Sequence, residues 1–262
     1  MSIQYQEMIT KGFLAQVVKH IFLCRIPVLS TIIIWVYAKI MSADFYGHSI
    51  RDFDCLLSFF LRRRDLTAKM RGQNLKKGFV SPAEGSIVFW GKLSHNSTMP
   101  IKGAGFTVSK LLGFAAPEYQ TGFVIYLSPG NYHHVHAPDN MTVEGFYELP
   151  GALKSVAPSL IDAHPQLFAE NLRQVVIART QSGKKVAIVL VGAQNVGAIH
   201  CPKLIGWEPD VEVSYEKGEP LGYFSLGSTV VVLSDQDVPS PYELGAEVDV
   251  LDPLFGETDE SN

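Results

Sequence analysis

The pattern of apolar and polar positions divides the chain at about residue 78. Before this point apolar residues recur at helical spacing, and after it they form short runs bounded by Gly, Pro and Asn. The sequence therefore predicts an α+β protein in which N-terminal amphipathic helices, in residues 1–77, pack on a mostly antiparallel, barrel-like β body, residues 78–255. The small and acidic residues 256–262 are predicted to form a disordered tail.

Two apolar stretches before residue 78 are separated by Pro27. Residues 13–22 have helical spacing with Lys19 and His20 interleaved, which predicts an amphipathic helix lying in an interface. The longest apolar stretch, residues 28–38, is about half of the roughly 20 residues that a membrane-spanning helix needs. Peripheral membrane contact and ordinary packing on the body therefore both stay open, and a transmembrane helix is not predicted.

A second amphipathic stretch, residues 53–61, ends in the triplet Arg62, Arg63 and Arg64. Cations suit the negative end of a helix dipole even without a function. Two interpretations of the triplet stay open, a solvated helix end and a site for the phosphates of a membrane surface.

The body is predicted to be rich in strands because β-favouring runs follow one another with turn residues between them. The predicted strands are residues 86–93, 122–127, 143–149, 175–180, 185–192 and 229–233. Two helical intervals, residues 109–114 and 165–172, interrupt them.

Charge separates the same two regions. The chain carries a net charge of −4, but residues 1–80 hold 12 Lys and Arg against 5 Asp and Glu. A basic, apolar N-terminal region indicates an anionic partner, and its Ile, Phe and Trp content favours a lipid surface over nucleic acid. The three cysteines lie far apart, which argues against a disulfide framework and a zinc site and fits a reducing compartment.

Candidate chemistry is concentrated in the segment YLSPGNYHHVHAP, which holds three of the eight histidines. In a regular strand His134 and His136 would share one face and His133 would lie on the other. Pro129 and Gly130 make a turn or bulge credible, which would bring His133 and His136 into one site. The segment lacks the H-E-x-x-H pattern and a clear third ligand, so no metal is predicted.

Two further segments complete the candidate site. Glu84 lies in a Pro/Gly turn just before a predicted strand, and Gly227 and Ser228 open the strand of the segment LGSTVVVL. A hydroxyl, an imidazole and a carboxylate form a nucleophile, base and orienter arrangement. Ser228 lacks the G-x-S-x-G elbow of the α/β-hydrolases, which weakens a hydrolase interpretation.

The order of several short motifs resembles the phosphatidylserine decarboxylase family in its bacterial membrane-bound form. These motifs are FDCLLSFFLRRRDL, SPAEG, IKGAGFTVSKLLG, YLSPGNYHHVHAP, PGALKSVAP, LFAEN, VGAQNVGAI and GYFSLGSTVVVL, which together cover most of the chain. The resemblance implies an enzyme that decarboxylates phosphatidylserine to phosphatidylethanolamine with a pyruvoyl cofactor made from its own serine.

The resemblance also implies roles for individual residues. The bond between Gly227 and Ser228 would be cut, so that Ser228 becomes the pyruvoyl group at the head of a small chain that stays associated with the large one. Glu84 would orient His136 and stabilise its positive charge, and His136 would take the hydroxyl proton of Ser228. His133 would donate a proton during decarboxylation. His134 is interpreted as a surface or substrate-proximal residue.

The implied partners are phosphatidylserine and an anionic membrane surface, with no nucleic acid. The implied location is peripheral, on the cytoplasmic face of a bacterial cytoplasmic membrane. A homodimer is implied by the resemblance alone.

Three positions depart from the family pattern. Glu84 and Asn131 stand where the family usually has Asp, and Leu172 stands where a charged residue is usual. Glu84 keeps the charge but adds a methylene, and catalytic geometry is sensitive to displacements of about 1 Å. We expect self-cleavage, and the alternative is a processing-deficient homologue that binds anionic phospholipid without turnover. A carrier-type β sandwich using one histidine is a third interpretation, which the basic N-terminal region and the Gly-Ser site both oppose.

Overall fold

The computed structural model describes residues 13–72, 78–93, 98–101, 104–156, 164, 166–193, 199–225, 227–237 and 242–255. The tail predicted at residues 256–262 lies outside these residues. The α-helices in the described part are α1 (Phe13–Phe22), α2 (Pro27–Met41), α3 (Leu56–Phe60), α4 (Thr67–Gly72), α5 (Val108–Leu112) and α6 (Leu167–Glu170). The strands there are β1 (Phe79–Val80), β2 (Gly85–Lys92), β3 (Thr98–Ile101), β4 (Ala104–Thr107), β5 (Thr121–Leu127), β6 (His134–His136), β7 (Met141–Leu149), β8 (Arg173–Thr180), β9 (Lys185–Gly192), β10 (Ile199–His200), β11 (Ser214–Tyr215), β12 (Pro220–Phe224), β13 (Ser228–Ser234), β14 (Glu247–Val248) and β15 (Pro253–Phe255).

A central sheet of eight strands organises the body, in the order β11-β7-β8-β9-β13-β5-β2-β14. All of its pairings are antiparallel, so the predicted α+β class with a mostly antiparallel body is confirmed. Within the described residues the sheet is open, with β11 and β14 at its edges. The predicted barrel-like closure is therefore not confirmed.

Strand β13 lies in the middle of this sheet and is buried along its whole length. Val230 and Val232 pack into the apolar core on one face of the sheet, and Val231 and Leu233 pack into the core on the other. A strand that is covered on both faces needs apolar residues at consecutive positions. This requirement explains the run VVVL after Ser228.

Smaller sheets flank the central one. The histidine strand β6 pairs with β12, which pairs in turn with β10. Val135 of β6 and Phe224 of β12 belong to the core on one face of the central sheet. The small sheet therefore carries the histidine segment against the large one. Two further antiparallel pairs, β1 with β15 and β3 with β4, complete the described strands.

The six predicted strands are confirmed as β2, β5, β7, β8, β9 and β13, with ends shifted by no more than two residues. The helical interval predicted at 109–114 is α5, and the interval predicted at 165–172 contains α6, although Pro165 lies outside the described residues. The amphipathic stretch at 53–61 contains the shorter helix α3.

The helices α1 and α2 form a bent pair at the N-terminal end. Pro27 starts α2, where proline is well suited to the first helical turn, and the two helix axes differ by 105°. Ile34 and Ala38 of α2 are buried, but its other side leaves large apolar side chains exposed. These side chains are Val28, Leu29, Ile32, Trp35, Val36, Ile40 and Met41. Among the described residues no single helix meets the length and hydropathy expected of a bilayer span, whereas the bent pair meets them jointly.

Two residues of the arginine triplet, Arg62 and Arg64, differ from both interpretations of the sequence. Arg62 is only 2% exposed, and its guanidinium donates to the carbonyls of Asp44, Phe59 and Gly130 at 2.5, 3.2 and 2.7 Å. Arg64 is half-buried and forms a two-bond ion pair with Asp249 at 2.5 and 2.8 Å. For these two arginines the solvated and the membrane interpretations are wrong, because buried carbonyls and a carboxylate of the protein itself hold their charges.

Candidate active site

Ser228 begins the central strand β13 at the end of the sheet where the histidine segment starts. It is paired with Leu127, the last residue of β5, and with Gly192, the last residue of β9. The chain reaches Ser228 through Gly227, whose φ of +27° lies in a region that side chains disfavour. The hydroxyl of Ser228 is fully buried and has no hydrogen-bond partner among the described residues. An unsatisfied buried hydroxyl is costly, which marks Ser228 as a candidate for chemistry.

The loop from Ser128 to Tyr132 joins β5 to the histidines and is fixed from several sides. The side-chain oxygen of Asn131 accepts from the backbone and hydroxyl of Ser128 at 2.7 and 2.6 Å, which closes a local turn. Tyr37 of α2 donates to the carbonyl of Pro129 at 2.7 Å. A Cβ on Gly130 would come within 2.0 Å of the Met41 carbonyl oxygen, so only glycine fits there. The helical region therefore forms one wall of the site.

His136 makes a hydrogen bond through each ring nitrogen. Its Nδ1 lies 2.8 Å from the carbonyl oxygen of Gly218, and its Nε2 lies 3.2 Å from the hydroxyl of Tyr132. Because a carbonyl can only accept, Nδ1 carries the proton of the neutral ring and Nε2 presents its lone pair. Burial lowers the pKa of His136 to about 4, so the ring is neutral at neutral pH.

His133 precedes strand β6 and has the same tautomer. Its Nδ1 lies 2.9 Å from the Asn131 carbonyl oxygen, and its Nε2 is buried without a partner in the described part of the chain. The ring packs against Phe60 of α3 with a centroid distance of 4.0 Å. Burial lowers the pKa of His133 to about 3. The ring is therefore neutral at neutral pH, with the lone pair of Nε2 unpaired among the described residues.

His134 is 7% exposed, so its interpretation as a surface residue is wrong. Its Nε2 lies 3.0 Å from the Leu61 carbonyl oxygen, and its ring packs between those of Tyr132 and Tyr223. The backbone after α3 therefore covers the histidine strand, and its Leu61 carbonyl holds Nε2 of His134 in a hydrogen bond.

Glu84 lies in a cluster of donors. Its Oε2 accepts from Tyr46 at 2.6 Å and from Arg64 at 3.4 Å, and its Oε1 accepts from Asn131 Nδ2 at 3.0 Å and from the backbone of Tyr132 at 3.4 Å. Tyr46 reaches the carboxylate from a turn in which its own φ is +50°, a strained value for a non-glycine residue. Three side chains donate to Glu84, so its carboxylate is held in place and differs from the solvated glutamate that is usual in a turn.

The structure brings the predicted residues together only in part. Glu84 and His136 share Tyr132 as a neighbour, since the backbone of Tyr132 donates to the carboxylate and its hydroxyl contacts the imidazole. The described contacts include no hydrogen bond from Glu84 to His136 or from Ser228 to either histidine. The orienting role of Glu84 stays a prediction, and the carbonyl of Gly218 holds the position expected of an orienter.

Sequence reasoning missed four groups at this site, namely Tyr46, Arg64, Tyr132 and the carbonyl of Gly218. Tyr132 stands between Asn131 and His133 in the histidine segment and could have been found as a polar neighbour of both. Tyr46 and Arg64 come from the helical region, and a backbone carbonyl leaves no signal in the sequence. Together these observations define an α+β protein with a buried serine at the first residue of a central strand and three buried histidines in the segment that follows the neighbouring strand.

Comparison with known proteins places this chain in a family. The family model described as phosphatidylserine decarboxylase matches residues 56–251. Relatives bearing the name phosphatidylserine decarboxylase proenzyme include one from Alkalilimnicola ehrlichii, 36% identical over 62% of this chain and 62% of the relative. One from Acinetobacter baumannii is 31% identical over 90% of this chain and 87% of the relative. One from Legionella pneumophila is 32% identical over 79% of both. The chain belongs to the phosphatidylserine decarboxylase family.

Proposed function

We propose that this chain cuts its own backbone between Gly227 and Ser228 and converts Ser228 into a pyruvoyl group. The processed enzyme decarboxylates phosphatidylserine to phosphatidylethanolamine. The observation that supports self-processing is the fully buried hydroxyl of Ser228, which follows a glycine with a strained φ and lacks a hydrogen-bond partner among the described residues. The name proenzyme carried by the relatives fits a precursor of this kind.

The first step is an acyl shift from nitrogen to oxygen. His136 takes the hydroxyl proton of Ser228 on Nε2, and the oxygen attacks the carbonyl carbon of Gly227. The peptide bond breaks, an ester replaces it, and the nitrogen of residue 228 takes a proton. Elimination then removes the α-proton of residue 228 and releases Gly227 as a carboxylate. Reaction with one water expels ammonia and leaves the ketone.

The pyruvoyl group supplies the electron sink that decarboxylation needs when the substrate amine binds to it. The remaining tasks fall to side chains of this chain. By the family likeness, Glu84 orients His136 and stabilises its positive charge during self-cleavage; in the structure the two share Tyr132 as a neighbour, whose backbone contacts the carboxylate and whose hydroxyl contacts the imidazole. His133 returns a proton to the substrate carbon after loss of carbon dioxide. Because burial keeps His133 neutral, it must take up a proton before it can donate one.

The strand pairing around residue 228 would hold the pyruvoyl group in place after cleavage. Strand β13 is paired along its whole length with β5 on one side and with β9 on the other. Cutting the bond before Ser228 leaves both ladders intact. The small chain that begins at residue 228 therefore stays associated with the large chain.

We further propose that the enzyme works at an anionic membrane surface, as a peripheral protein on the cytoplasmic face of a bacterial membrane. The exposed apolar side of α2 supports contact with a membrane, because a soluble surface rarely leaves Val28, Ile32, Trp35 and Ile40 uncovered together. Lys39 lies over the ring of Trp35 at 5.3 Å and places a cation beside that surface. A homodimer belongs to the proposal through the family likeness alone.

Intact-mass measurement of freshly purified protein tests self-processing. We expect a large chain ending at Gly227 and a small chain starting with a residue 228 that borohydride reduces. Ser228→Ala should give one uncut chain, whereas Ser234→Ala, at the other end of the same buried strand, should still be cut. An uncut wild-type protein that nevertheless releases phosphatidylethanolamine would refute the mechanism.

A second candidate function is a processing-deficient homologue that binds anionic phospholipid without turnover. One observation favours it, namely that Nε2 of His136, the nitrogen that self-cleavage needs as a base, already contacts the hydroxyl of Tyr132. Glu84→Asp distinguishes the two, since it restores the residue usual in the family. If the wild-type protein stays uncut and Glu84→Asp is cut, the result supports a processing-deficient homologue. If the wild-type protein is cut, the result refutes that candidate.

A further inference from the structure

Tyr132 is the side chain that contacts the base of the site. Its hydroxyl lies 3.2 Å from Nε2 of His136, and the two rings are stacked with centroids 5.7 Å apart at 24°. Tyr132 is itself buried, so water does not compete for the contact. This contact occupies the lone pair that His136 would use as a base.

The direction of this hydrogen bond follows from the groups around it. The carbonyl of Gly218 accepts from Nδ1, so Nε2 carries no proton and can only accept from Tyr132. Burial raises the pKa of Tyr132 to about 12, while a backbone hydrogen bond from Arg64 opposes that rise. The phenol therefore keeps its proton at neutral pH and donates it to His136.

The hydroxyl of Ser228 is in the opposite situation. It is buried, and among the described residues nothing accepts its proton. One imidazole nitrogen has one lone pair, which serves one donor at a time. We propose that Tyr132 is a positioning residue that competes with Ser228 for Nε2 of His136 and thereby slows self-cleavage. This inference rests on the proposed cleavage between Gly227 and Ser228.

Competition of this kind predicts a gain of rate when the hydroxyl is removed. His136 must give up the hydroxyl of Tyr132 before it can accept that of Ser228, and a single neutral hydrogen bond corresponds to roughly a two- to tenfold change in a rate. Tyr132→Phe removes the hydroxyl and keeps the ring that stacks on His136. Damage to the fold would slow cleavage, so an acceleration separates competition from a purely structural role.

The first experiment follows conversion of newly made protein into its two chains by intact mass. Tyr132→Phe should be converted about two- to tenfold faster than wild type. Tyr223→Phe is the matched control, because Tyr223 packs on the rings of His134 and His200 instead, and it should be converted at the wild-type rate. Equal or slower conversion of Tyr132→Phe would overturn the inference.

The second experiment does not depend on cleavage. In the Ser228→Ala background, the ¹⁵N resonance of His136 Nε2 should move toward that of an imidazole nitrogen without a donor when Tyr132→Phe is added. Tyr223→Phe should leave the resonance in place. An unchanged resonance in Tyr132→Phe would overturn the inference even if the wild-type protein is cut. An uncut wild-type protein would refute the proposed function, and the resonance would still test whether Tyr132 donates to His136.

Discussion

The helical region and the β body differ in how much of their apolar surface is exposed to solvent. In the body, β13 is buried at every position and each of its apolar residues packs into a core. In the helical region, α2 buries Ile34 and Ala38 and leaves its other side exposed. Yet the same region sends Tyr37, Arg62 and Arg64 into contacts with the body. One part of it is therefore structural, and another part presents an exposed apolar surface.

This difference fits the proposed arrangement of the enzyme at a membrane surface. Phe60 and Leu61, at the end of α3, contact His133 and His134, while Tyr46 and Arg64 contact Glu84. The helices that are proposed to meet lipid are thus continuous in sequence with the segment that covers the candidate site. If the proposed membrane contact is correct, the segment that covers the candidate site is joined directly to the helices that make that contact.

The largest expected effect tests the structural part of the helical region. Arg62→Ala removes a buried cation and leaves the carbonyls of Asp44 and Gly130 without their donor, so the free energy of unfolding should fall by about 3 kcal/mol. Denaturant unfolding measures it. The neighbouring Arg63 is exposed, and Arg63→Ala should change the free energy of unfolding by less than about 0.5 kcal/mol. Equal effects of the two substitutions would mean that the contacts of Arg62 do not stabilise the helical region against the body.

The next effect tests burial of the histidines in the body. Burial lowers the pKa of His133 from its ordinary value of 6.5 to about 3 in the folded protein. Between these two pH values the unfolded chain therefore binds more protons than the folded protein does. Stability is therefore full above pH 6.5 and is lost as the pH falls toward 3, with on the order of 2 kcal/mol lost between pH 7 and 5 from this residue.

Urea unfolding at several pH values measures this dependence. His133→Gln should weaken the loss of stability between pH 7 and 5. His20→Gln, in the exposed part of the helical region, should leave the wild-type dependence unchanged. If both variants follow wild type, His133 is not buried in its neutral form.

The smallest effect tests the exposed side of α2. Ile32→Ser combined with Ile40→Ser removes apolar area that is proposed to enter a membrane interface, and binding to vesicles containing phosphatidylserine should weaken about tenfold. Vesicle sedimentation in the Ser228→Ala background measures binding without consuming lipid. Ile205→Ser is the control in the body, where Ile205 is 81% exposed, and it should bind as before. Equal loss in both variants would place the membrane contact elsewhere.

Much of the fold was predictable because local patterns and tertiary packing agree. The runs that became β5, β9 and β13 are rich in β-branched residues and bounded by turn residues, so their strand character did not depend on distant contacts. Closure of the sheet was harder to predict, because it depends on how the edge strands β11 and β14 are placed. These edge strands are only two residues long and carry little pattern.

The sequence by itself determined the α+β class, the central apolar strand behind Ser228, and the presence of His133, His136 and Glu84 as candidate groups. Motif order across the chain also determined the family. These features are local or additive, so they can be found without coordinates.

Only the tertiary structure decided how these groups are connected. It placed Arg62 in the interior, gave Nδ1 of His136 the carbonyl of Gly218, and put Tyr132 on Nε2. Residues 132 and 218 are distant in sequence, and one of the two bonds uses a backbone oxygen that every residue possesses. Hydrogen bonds depend on distances of a few tenths of an ångström, which tertiary packing sets and local sequence patterns do not reveal.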